Sequence, residues 1–417
     1  MLKQHFVVCL TFCLATLFLL ETSNAQSTTW SQWRGPSRDG FVENAKPWPN
    51  SLTDDVLDVV WEKTNLGPSY SGPVVSETAV FSTETVERKY EVATAYDRQT
   101  GETLWSVKWE GAMTVPFFAL SNGSWIRATP VYDGQTVYVP GIRDVIVALD
   151  AETGAEKWKL DFVDKVKSPV PSFGFASSPL IDQGALYAQA GGAFTKIDAE
   201  TGKILWQTLK DDGGMSGSAF SSPVIETIAG RRQAIVQTRQ KLAGVDLESG
   251  DVLWEQVVPN YRGMNILTPL VHKDAVFTSS YRNKAWLYQL NGSAAETTVE
   301  QQWETNTQAY MSSPVLIEGY AYLHLQNQRF TCIDLKTGER TWTTTPFGKY
   351  WSMVAQGDKI LALDQRGKLL LIKANPKQFE LLDEREVTDE DSWAHLAVDG
   401  DQLVIRSLNG LIVMQWK

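Results

Sequence analysis

Eight side chains with the chemistry of a binding site stand in similar places along the chain, each close to the start of a predicted strand. Six are aromatic, one is basic and one is an amide: Tyr70, Arg127, Phe175, Phe220, Asn265, Tyr310, Trp351 and Trp393. Aromatic rings stack on flat ligands or anchor the apolar side chains of a partner, and Arg supplies charged hydrogen bonds at the edge. These residue types predict noncovalent binding, although burial between repeats is the alternative for any single one.

Sequence signals for catalysis or for metal binding are weak. His272, His324 and His395 fall in three different repeats, without the spacing of metal ligands. The run from Asp211 to Gly214 contains two carboxylates and two glycines, which are more typical of a solvated turn than of a cation loop. The chain has no nucleophile elbow and no phosphate-binding loop. We therefore predict no catalytic residue and no metal site.

A nine-residue frame with Asp first, Gly fifth and Trp ninth occurs five times along the chain. The copies begin at Asp97, Asp150, Asp198, Asp246 and Asp334. With average Asp and Gly frequencies and the Trp content of this chain, chance would supply on the order of 0.1 such triplets over this length. Five copies with one spacing therefore indicate a repeat protein.

The frame has the residue chemistry of a hairpin turn. The Asp carboxylate can accept backbone N–H groups two residues further on, and Gly adopts positive φ without steric cost. Alternating apolar residues such as Val145, Val147 and Leu149 precede the Asp, and a short run after the Gly ends in Trp. Each frame therefore predicts two antiparallel strands, with the Trp buried against the neighbouring repeat.

A second recurring element places Pro at the start of a strand in six repeats. The positions are Pro73, Pro130, Pro179, Pro223, Pro269 and Pro314. Pro is tolerated there because its missing N–H falls at the first residue of the strand. A turn and another strand follow each Pro, so that each unit contains four antiparallel strands.

The length of the repeat indicates the architecture. Trp residues at positions 105, 158, 206, 254, 303 and 342 are 53, 48, 48, 49 and 39 residues apart. Four strands in about 40–50 residues form one propeller blade. Two more units begin near Trp351 and Trp393, and the fifth unit is degenerate around Asn291. The last unit has three strands, and residues 58–62 carry an orphan strand pattern. We predict an all-β, eight-bladed β-propeller with four-stranded antiparallel blades, whose ring is closed by an N-terminal strand joining the last C-terminal blade.

The N-terminus has the pattern of a secretory signal peptide. An apolar run from Phe6 to Leu20 follows a short polar start, and Ser23 to Ala25 offers small residues for cleavage. This run is too short to span a bilayer as a helix. We expect residues 1–25 to be a signal peptide, 26–57 an extended leader and 58–417 the propeller. The mature chain would be periplasmic or secreted, without a transmembrane segment, and monomeric.

Charge and cysteine content limit the partners and the sources of stability. The formal net charge of −11 disfavours a nucleic-acid partner, so a protein or peptide partner is expected. Cys332 is the only cysteine beyond the predicted signal peptide, and the mature chain therefore has no internal disulfide. Stability must come from a large core.

An extended form of the frame, Ala-x-Asp-x-x-Thr-Gly-x-x-x-Trp, is complete at residues 95–105 and 148–158. It resembles the repeat of the pyrroloquinoline quinone (PQQ) propeller family, and the resemblance covers about residues 61–417. Exported members of this family include the propeller protein of outer-membrane barrel assembly. The segment from Trp30 to Gly40 is similar to the opening of many exported members, and it predicts either a strap packed across the propeller or a lid or partner motif.

The resemblance implies two classes of function. Quinoprotein dehydrogenases of the alcohol-oxidising kind have two adjacent cysteines over the cofactor, a Ca²⁺ site and a catalytic Asp, whereas other members are scaffolds without a cofactor. With Cys332 alone, the chain departs from the enzyme pattern. Our main hypothesis is a non-catalytic extracytoplasmic scaffold that binds a protein, peptide or small ligand on one propeller face. The alternative is a dehydrogenase that oxidises an alcohol or sugar with PQQ and Ca²⁺, using residues around Arg127, Asn265 and Trp351.

Overall fold

The computed structural model describes residues 29–43, 45–211, 219–293 and 296–417. The predicted signal peptide, residues 1–25, and the first three residues of the predicted leader lie outside the described residues. Within the described ranges, no helix has the length and apolar character needed to cross a membrane.

The described strands form eight sheets of four antiparallel strands each, which are the blades of a propeller. The first strand of the chain is β1 (Leu57–Lys63). Blade 1 contains β2 (Val74–Val75), β3 (Ala79–Val86), β4 (Tyr90–Asp97) and β5 (Thr103–Glu110). Blade 2 contains β6 (Val131–Tyr132), β7 (Thr136–Gly141), β8 (Val145–Asp150) and β9 (Glu156–Asp161). Blade 3 contains β10 (Leu180–Asp182), β11 (Ala185–Ala190), β12 (Ala193–Asp198) and β13 (Ile204–Thr208). Blade 4 contains β14 (Val224–Ile228), β15 (Arg231–Gln237), β16 (Lys241–Val245) and β17 (Val252–Val257).

The second half of the chain continues the pattern. Blade 5 contains β18 (Leu270–His272), β19 (Ala275–Ser279), β20 (Ala285–Gly292) and β21 (Thr297–Thr305). Blade 6 contains β22 (Val315–Ile317), β23 (Tyr320–His324), β24 (Arg329–Asp334) and β25 (Arg340–Pro346). Blade 7 contains β26 (Trp351–Gln356), β27 (Lys359–Asp364), β28 (Lys368–Lys373) and β29 (Glu380–Glu386). Blade 8 contains β30 (Ala397–Asp399), β31 (Gln402–Arg406) and β32 (Leu411–Trp416). Two short helices lie in loops, a 3-10 helix at Phe117–Asn122 and α1 (Phe162–Val166).

The core lies between the blades. The inner and middle strands are apolar and almost wholly buried, as in β7 and β11, whereas the outermost strands alternate between buried and exposed positions, as in β5. This difference arises because the middle strands pack against a neighbouring blade on both faces, while the outermost strands border solvent. The innermost strands of adjacent blades contact one another around the central channel, including β2 of blade 1 with β30 of blade 8.

The ring is closed by the N-terminal strand. β1 is the fourth strand of blade 8 and pairs antiparallel with β32, in a register that runs from Leu57 opposite Trp416 to Lys63 opposite Leu411. The predicted eight-bladed all-β propeller and its mode of closure are confirmed. The two ends of the propeller therefore share one ladder of backbone hydrogen bonds, and β1 covers the edge that β32 would otherwise expose.

The Asp–Gly turn of the repeat frame has the predicted geometry. In blade 1, Oδ1 of Asp97 accepts hydrogen bonds from the backbone N–H groups of Gln99 and Thr100, at 3.0 and 2.8 Å. Gly101 has a φ of +72°, and the indole ring of Trp61 lies directly over it. The turn therefore requires Gly at this position for two reasons, the positive φ and the close approach of the ring.

Six Trp residues of the outermost strands join their blade to the next through the indole N–H as well as through the ring. Each donates to a carbonyl oxygen in the turn of the following blade, over distances between 2.8 and 3.1 Å. The pairs are Trp61 with Arg98, Trp105 with Ala151, Trp158 with Ala199, Trp206 with Glu248, Trp303 with Leu335, and Trp342 with Asn375. Burial of these rings is less complete than predicted, because the outermost strands that carry them border solvent: Trp158, Trp206, Trp303 and Trp342 are partly exposed.

Blade 5 interrupts this series. Its β20–β21 hairpin has no Asp–Gly frame, as the degenerate sequence indicated, so that Trp254 of blade 4 has no such turn to contact. Its indole N–H instead donates to Oε1 of Gln233 in its own blade, at 2.7 Å. The seam between blades 4 and 5 therefore lacks the Trp–carbonyl bond that joins most other neighbours.

Residues 30–42, here called the strap, cross one end of the central channel. The Trp30 carbonyl accepts from Val75 N–H in blade 1, Arg38 donates to the Pro179 carbonyl in blade 3, and Val42 N–H donates to the Ala355 carbonyl in blade 7. Since blades 3 and 7 lie on opposite sides of the ring, the strap crosses from one side to the other. This arrangement matches the strap interpretation of the leader motif and closes that end of the channel.

Candidate functional site

The channel is open at the end opposite the strap. The residue three positions before each strand-opening Pro lines this opening in all six Pro-containing repeats: Tyr70, Arg127, Ala176, Phe220, Ile266 and Met311. The Pro residues and the strand residues that follow them lie deeper, at the level of the strap. The opening, here called the mouth, encloses a cavity of about 500 Å³, which is within the range of ligand pockets.

Six aromatic rings form a continuous arc along one side of the mouth. Neighbouring ring centroids are 4.1 to 6.3 Å apart, in the order Tyr261, Tyr281, Tyr310, Tyr350, Trp393 and Tyr70. Such separations are typical of interacting aromatic pairs. The arc is therefore a packed surface whose rings are held in place by one another.

Phenylalanine side chains form the other side of the mouth. Phe118 contacts Phe173 at a centroid distance of 6.0 Å, and Phe173 contacts Phe220 at 5.6 Å. Phe118 lies in the 3-10 helix Phe117–Asn122, where Phe117, Phe118 and Leu120 are 84%, 53% and 52% exposed. This helix is here called the apolar tip, and it extends the apolar surface of the mouth into solvent.

Three arginines supply the charge of the mouth. Arg282 lies 5.0 Å from the ring centroid of Tyr261 and 5.3 Å from that of Tyr281, and Arg262 lies 5.2 Å from that of Tyr261. Arg127 donates to the Gly123 carbonyl at 3.0 Å. Among the described residues that line the mouth there is no Asp or Glu. The mouth is therefore locally positive on a chain whose net charge is −11.

Burial shifts the pKa values of Arg127 and Tyr70 without changing the charge of either side chain at neutral pH. Loss of water around Arg127 lowers its pKa to about 10, partly offset by Tyr70. Burial also raises the pKa of Tyr70 to about 12. Arg127 is therefore a cation and Tyr70 a neutral hydrogen-bonding group near neutral pH.

The structure brings five of the eight sequence-derived site residues together at the mouth: Tyr70, Arg127, Phe220, Tyr310 and Trp393. Trp351 lies deeper, beside the channel, where its ring stacks on His324 at a centroid distance of 5.1 Å. Whether these residues bind a ligand stays a prediction, but their common location fits a single site.

Phe175 and Asn265 lie elsewhere. Phe175 packs in the core between blades 2 and 3, and the Asn265 side chain donates to the carbonyls of Thr238 and Arg239. Both stand four residues before a Pro, whereas Ala176 and Ile266, one residue later, line the mouth. Successive side chains of an extended chain point in opposite directions, so that a displacement of one residue turns a side chain away from the channel.

Sequence reasoning missed Phe118, Tyr261, Tyr281 and Arg282, which also line the mouth. Tyr281 and Arg282 lie in the hairpin between β19 and β20, which carries no repeat motif. A topological signal was available, because the second strand of a blade runs antiparallel to the first and so ends at the rim where the first begins.

An inner chamber of about 140 Å³ lies between the mouth and the strap. Trp33 of the strap, Trp351 and His395 line it, together with hydroxyl side chains that precede the Pro residues. Those hydroxyls link neighbouring blades: Thr129 accepts from Gly72 N–H at 3.2 Å, and Ser178 accepts from Thr129 N–H at 3.0 Å.

The donor set of this channel does not fit a quinoprotein site. Calcium binding needs several carboxylate and amide oxygens, and the described linings of the mouth and the inner chamber contain no Asp or Glu. Across the described residues, no group of three His, Cys, Asp or Glu side chains is placed to hold a metal ion. Cys332, which is buried, lies in β24 within the core of blade 6.

These features define an eight-bladed β-propeller with a plugged channel and an aromatic, arginine-containing mouth. The family model described as outer membrane protein assembly factor BamB matches residues 88–344. This match covers more than half of the chain, and the chain therefore belongs to this family of PQQ-like propellers.

Individual relatives are distant in sequence but extend over most of the chain. The chain is 20% identical to the outer membrane protein assembly factor BamB of Yersinia pestis, over 82% of this chain and 70% of that protein. It is 23% identical to the BamB of Moranella endobia (strain PCIT), over 82% of this chain and 85% of that protein. The resemblance to barrel-assembly propellers that the repeats indicated is confirmed.

Two solved structures share the fold. BamB from Moraxella catarrhalis superposes with a TM-score of 0.64 at 15% identity, over 87% of this chain and all of that one. The quinohemoprotein alcohol dehydrogenase ADHIIG from Pseudomonas putida HK5 superposes with a TM-score of 0.62 at 12% identity, over 93% of this chain and 80% of that one. At these identities the likeness concerns the fold alone.

Proposed function

We propose that the chain is an exported, non-catalytic scaffold whose mouth binds a segment of a partner protein. The observation that carries the proposal is the arc of six aromatic rings at the open end of a plugged channel, accompanied by three arginines. Tyr, Trp and Arg are the residue types most enriched at energetic hot spots of protein interfaces. A rigid aromatic surface also loses little side-chain entropy when a partner binds.

The apolar tip supports a protein partner in particular. Phe117, Phe118 and Leu120 are all more than half exposed and adjoin the Phe side of the mouth. Large apolar side chains clustered on a surface mark sites of interaction. A partner segment that enters the mouth would also cover the tip, which a small ligand confined to the cavity would leave in water.

The charge of the mouth restricts the chemistry of the partner. Arg127, Arg262 and Arg282 stand among lining residues that include no described carboxylate. The matching segment therefore carries acidic as well as apolar side chains. Charge complementarity of this kind mainly accelerates association, and it weakens as salt concentration rises.

The family suggests the setting of this interaction. The relatives from Yersinia pestis and Moranella endobia are named outer membrane protein assembly factors. We assign this chain a comparable role as an exported assembly scaffold, a monomer with a signal peptide cleaved near Ala25, a leader over residues 26–57 and a propeller over residues 58–417.

The dehydrogenase alternative receives less support from the donor set. Removal of a proton from an alcohol needs a base beside the cofactor, and no Asp or Glu stands among the described lining of the channel. Titration of the purified protein with PQQ and Ca²⁺, followed by absorbance and by dye-linked oxidation of alcohols and sugars, tests this point. Stoichiometric PQQ binding with turnover would replace the scaffold proposal.

The scaffold proposal itself is tested by capture of envelope proteins on the immobilised mature chain. Tyr281→Ala and Tyr310→Ala each remove a ring from the arc, and either should strongly reduce recovery of a specific partner. Leu205→Ala, on the exposed face of β13, serves as the control because Leu205 is 47% exposed and lies on an outermost strand. Equal recovery by all four proteins would mean that the mouth is not the binding surface.

A further inference from the structure

The inner chamber is continuous with the mouth. Tyr70, Arg127, Phe220, Met311 and Trp393 line both cavities. A ligand that occupies the mouth can therefore place one end group in the chamber. The chamber has a volume of about 140 Å³, which suits a small end group rather than a whole ring system.

Hydroxyl groups of the chamber are arranged to donate. The oxygens of Thr129, Ser178 and Ser222 each accept a backbone N–H from the preceding blade, at 3.2, 3.0 and 2.9 Å. Ser312 accepts from Trp351 N–H and Ser352 from Leu396 N–H, at 3.0 and 2.8 Å. Each oxygen has accepted one backbone N–H, and each hydroxyl keeps its proton, together with one lone pair, for a further partner.

Two indole N–H groups at the chamber have no partner in the described residues. Nε1 of Trp351 and Nε1 of Trp393 are both buried and form no hydrogen bond. Trp351 as a whole is only 2% exposed. Buried donors without partners are uncommon in native proteins and indicate a missing acceptor.

Positive charge lies behind the floor of the chamber. The ring of Trp33 forms part of that floor, and the guanidinium groups of Arg34 and Arg38 lie 5.5 and 5.4 Å from its centroid. Both arginines are fully buried, and their hydrogen bonds go to carbonyl and amide oxygens, such as the Pro314 carbonyl for Arg34 and the Ser178 carbonyl for Arg38. Within the described residues, neither forms an ion pair with a carboxylate within 4.0 Å.

Arg34 and Arg38 are charged at neutral pH, and the charge of Arg34 acts on a residue of the chamber. Burial lowers the pKa of Arg34 to about 10 and that of Arg38 to about 9, so that both stay protonated at neutral pH. Burial and then the charge of Arg34 lower the pKa of His395, a chamber residue, to about 3. His395 is therefore neutral, and the described chamber lining has donors and nearby cations but no carboxylate.

We infer that the inner chamber is a binding site for a carboxylate group, which accepts hydrogen bonds from the indole N–H groups of Trp351 and Trp393 and is attracted by Arg34, Arg38 and Arg127. Two sources supply this chemistry. One is the C-terminal carboxylate of a partner chain whose last side chains lie in the mouth, and this source rests on the proposed function. The other is a small aromatic acid that binds independently of any protein partner.

A free acid tests the chamber alone. The heat of binding is measured by calorimetry while the mature protein is titrated with benzoate and, separately, with benzamide, which has the same ring but no charge. Benzoate should bind saturably and benzamide at least about tenfold more weakly, because hydrogen bonds to a charged acceptor are about twice as strong. Equal binding of the two compounds, or binding of neither together with failure of the peptide test below, would overturn the inference.

A peptide pair tests the chain end as the source. A short acidic peptide that ends in Leu-Phe is compared as the free carboxylate and as the C-terminal amide. Tighter binding of the free carboxylate, by about tenfold, supports a chain end in the chamber. If the two peptides bind equally and benzoate does not bind, the carboxylate site is overturned but the mouth proposal stands. If neither peptide binds and benzoate does, the free acid is supported as the source of the carboxylate.

A substitution inside the chamber separates recognition from folding. Trp351→Phe keeps an aromatic side chain but removes one donor, and the preference for acid over amide should fall severalfold. Arg262→Gln is the matched control, because Arg262 lines the mouth but not the chamber. It should weaken both peptides alike and leave the acid-to-amide ratio unchanged. Melting curves establish that each variant is folded, and an unchanged ratio in folded Trp351→Phe contradicts the assigned role of this indole.

Discussion

The indole ring of Trp61 lies across Gly101, with its Cδ2 atom 2.7 Å from the point that a Cβ on Gly101 would occupy. Trp61 belongs to β1, whose backbone pairs with β32 in blade 8, whereas Gly101 lies in a turn of blade 1. A single strand therefore closes the ring in two ways. Its backbone binds the last blade, and the side chain of its Trp packs on the first.

Substitution of Gly101 should lower the free energy of unfolding for two reasons, the positive φ of this residue and the contact with the Trp61 ring. Gly101→Ala places a Cβ at positive φ, which costs about 1–2 kcal/mol, and forces the Trp61 ring to move, which adds about 1–3 kcal/mol. Gly184→Ala is the control, since Gly184 has a similar φ of +76° and no atom within 4 Å of its Cβ position. Urea denaturation of the two variants measures the difference. Equal losses of stability would show that the ring adapts without cost.

Removal of the closing strand should abolish cooperative unfolding. Deletion of residues 56–64 strips β1 from β32, which exposes a sheet edge in blade 8 and uncovers the turn around Gly101. Exposed edges of this kind promote aggregation. Deletion of residues 26–40 removes most of the strap but leaves β1 in place, and it should lower the melting temperature without loss of cooperativity. Calorimetry and light scattering compare the two. A β1-deleted protein that stays monomeric and melts in one sharp transition would contradict this account of closure.

The propeller could be predicted from sequence because each of its defining contacts is local or repeated. The Asp97 turn depends on residues two and three positions away, and the contact of a Trp ring with the Gly of the next blade's turn recurs at five blade junctions. The mouth could be predicted only in part. Phe175 was chosen for its residue type, although the register of the repeat, counted from Pro179, matches Ala176 to Tyr70, Arg127 and Phe220.

Contacts that occur only in the strap do not repeat along the chain, and the sequence therefore contains no pattern that predicts them. Arg38 of the strap reaches the carbonyls of Ser178 and Pro179, about 140 residues away. No repeat anticipates such a bond, because a backbone carbonyl is present at every residue. The sequence predicted a strap across the propeller as one of two interpretations, but it did not indicate which blades the strap reaches, and the floor of the inner chamber could therefore not be predicted.

Glu91 should make the stability of the protein sensitive to pH. It is fully buried, and its carboxylate accepts from Ile142 N–H at 2.7 Å and from the indole of Trp109 at 3.0 Å. Burial, which outweighs these bonds, raises the pKa of Glu91 to about 7. The folded state therefore holds a proton that the unfolded chain releases near pH 4.5, and the contribution of Glu91 to stability falls as pH rises from about 4.5 to about 7.

Glu91→Gln mimics the protonated side chain and removes this dependence. As pH rises from 5 to 8, the free energy of unfolding of the variant minus that of the original protein should increase by on the order of 2–3 kcal/mol. The two proteins are compared at each pH because other buried groups also change the free energy of unfolding with pH. Burial lowers the pKa of His324 to about 4, so that His324 makes the protein less stable as pH falls below about 6.5, opposite to the effect of Glu91. Glu62→Gln, at an exposed position of β1, is the control and should follow the original protein. A constant difference between Glu91→Gln and the original protein across this range would contradict the raised pKa.

The apolar tip should matter for binding and not for stability. Phe117→Ser replaces a side chain that is 84% exposed, so that the free energy of unfolding should change by less than about 0.5 kcal/mol. Loss of an exposed aromatic anchor should nevertheless weaken partner binding by about 1–2 kcal/mol if the partner covers the tip as well as the mouth. Leu104→Ser is the control, because Leu104 is 51% exposed on β5, an outermost strand. Binding is measured by calorimetry with the captured partner. If Phe117→Ser and Leu104→Ser bind equally well, the partner is confined to the mouth and the tip serves another purpose.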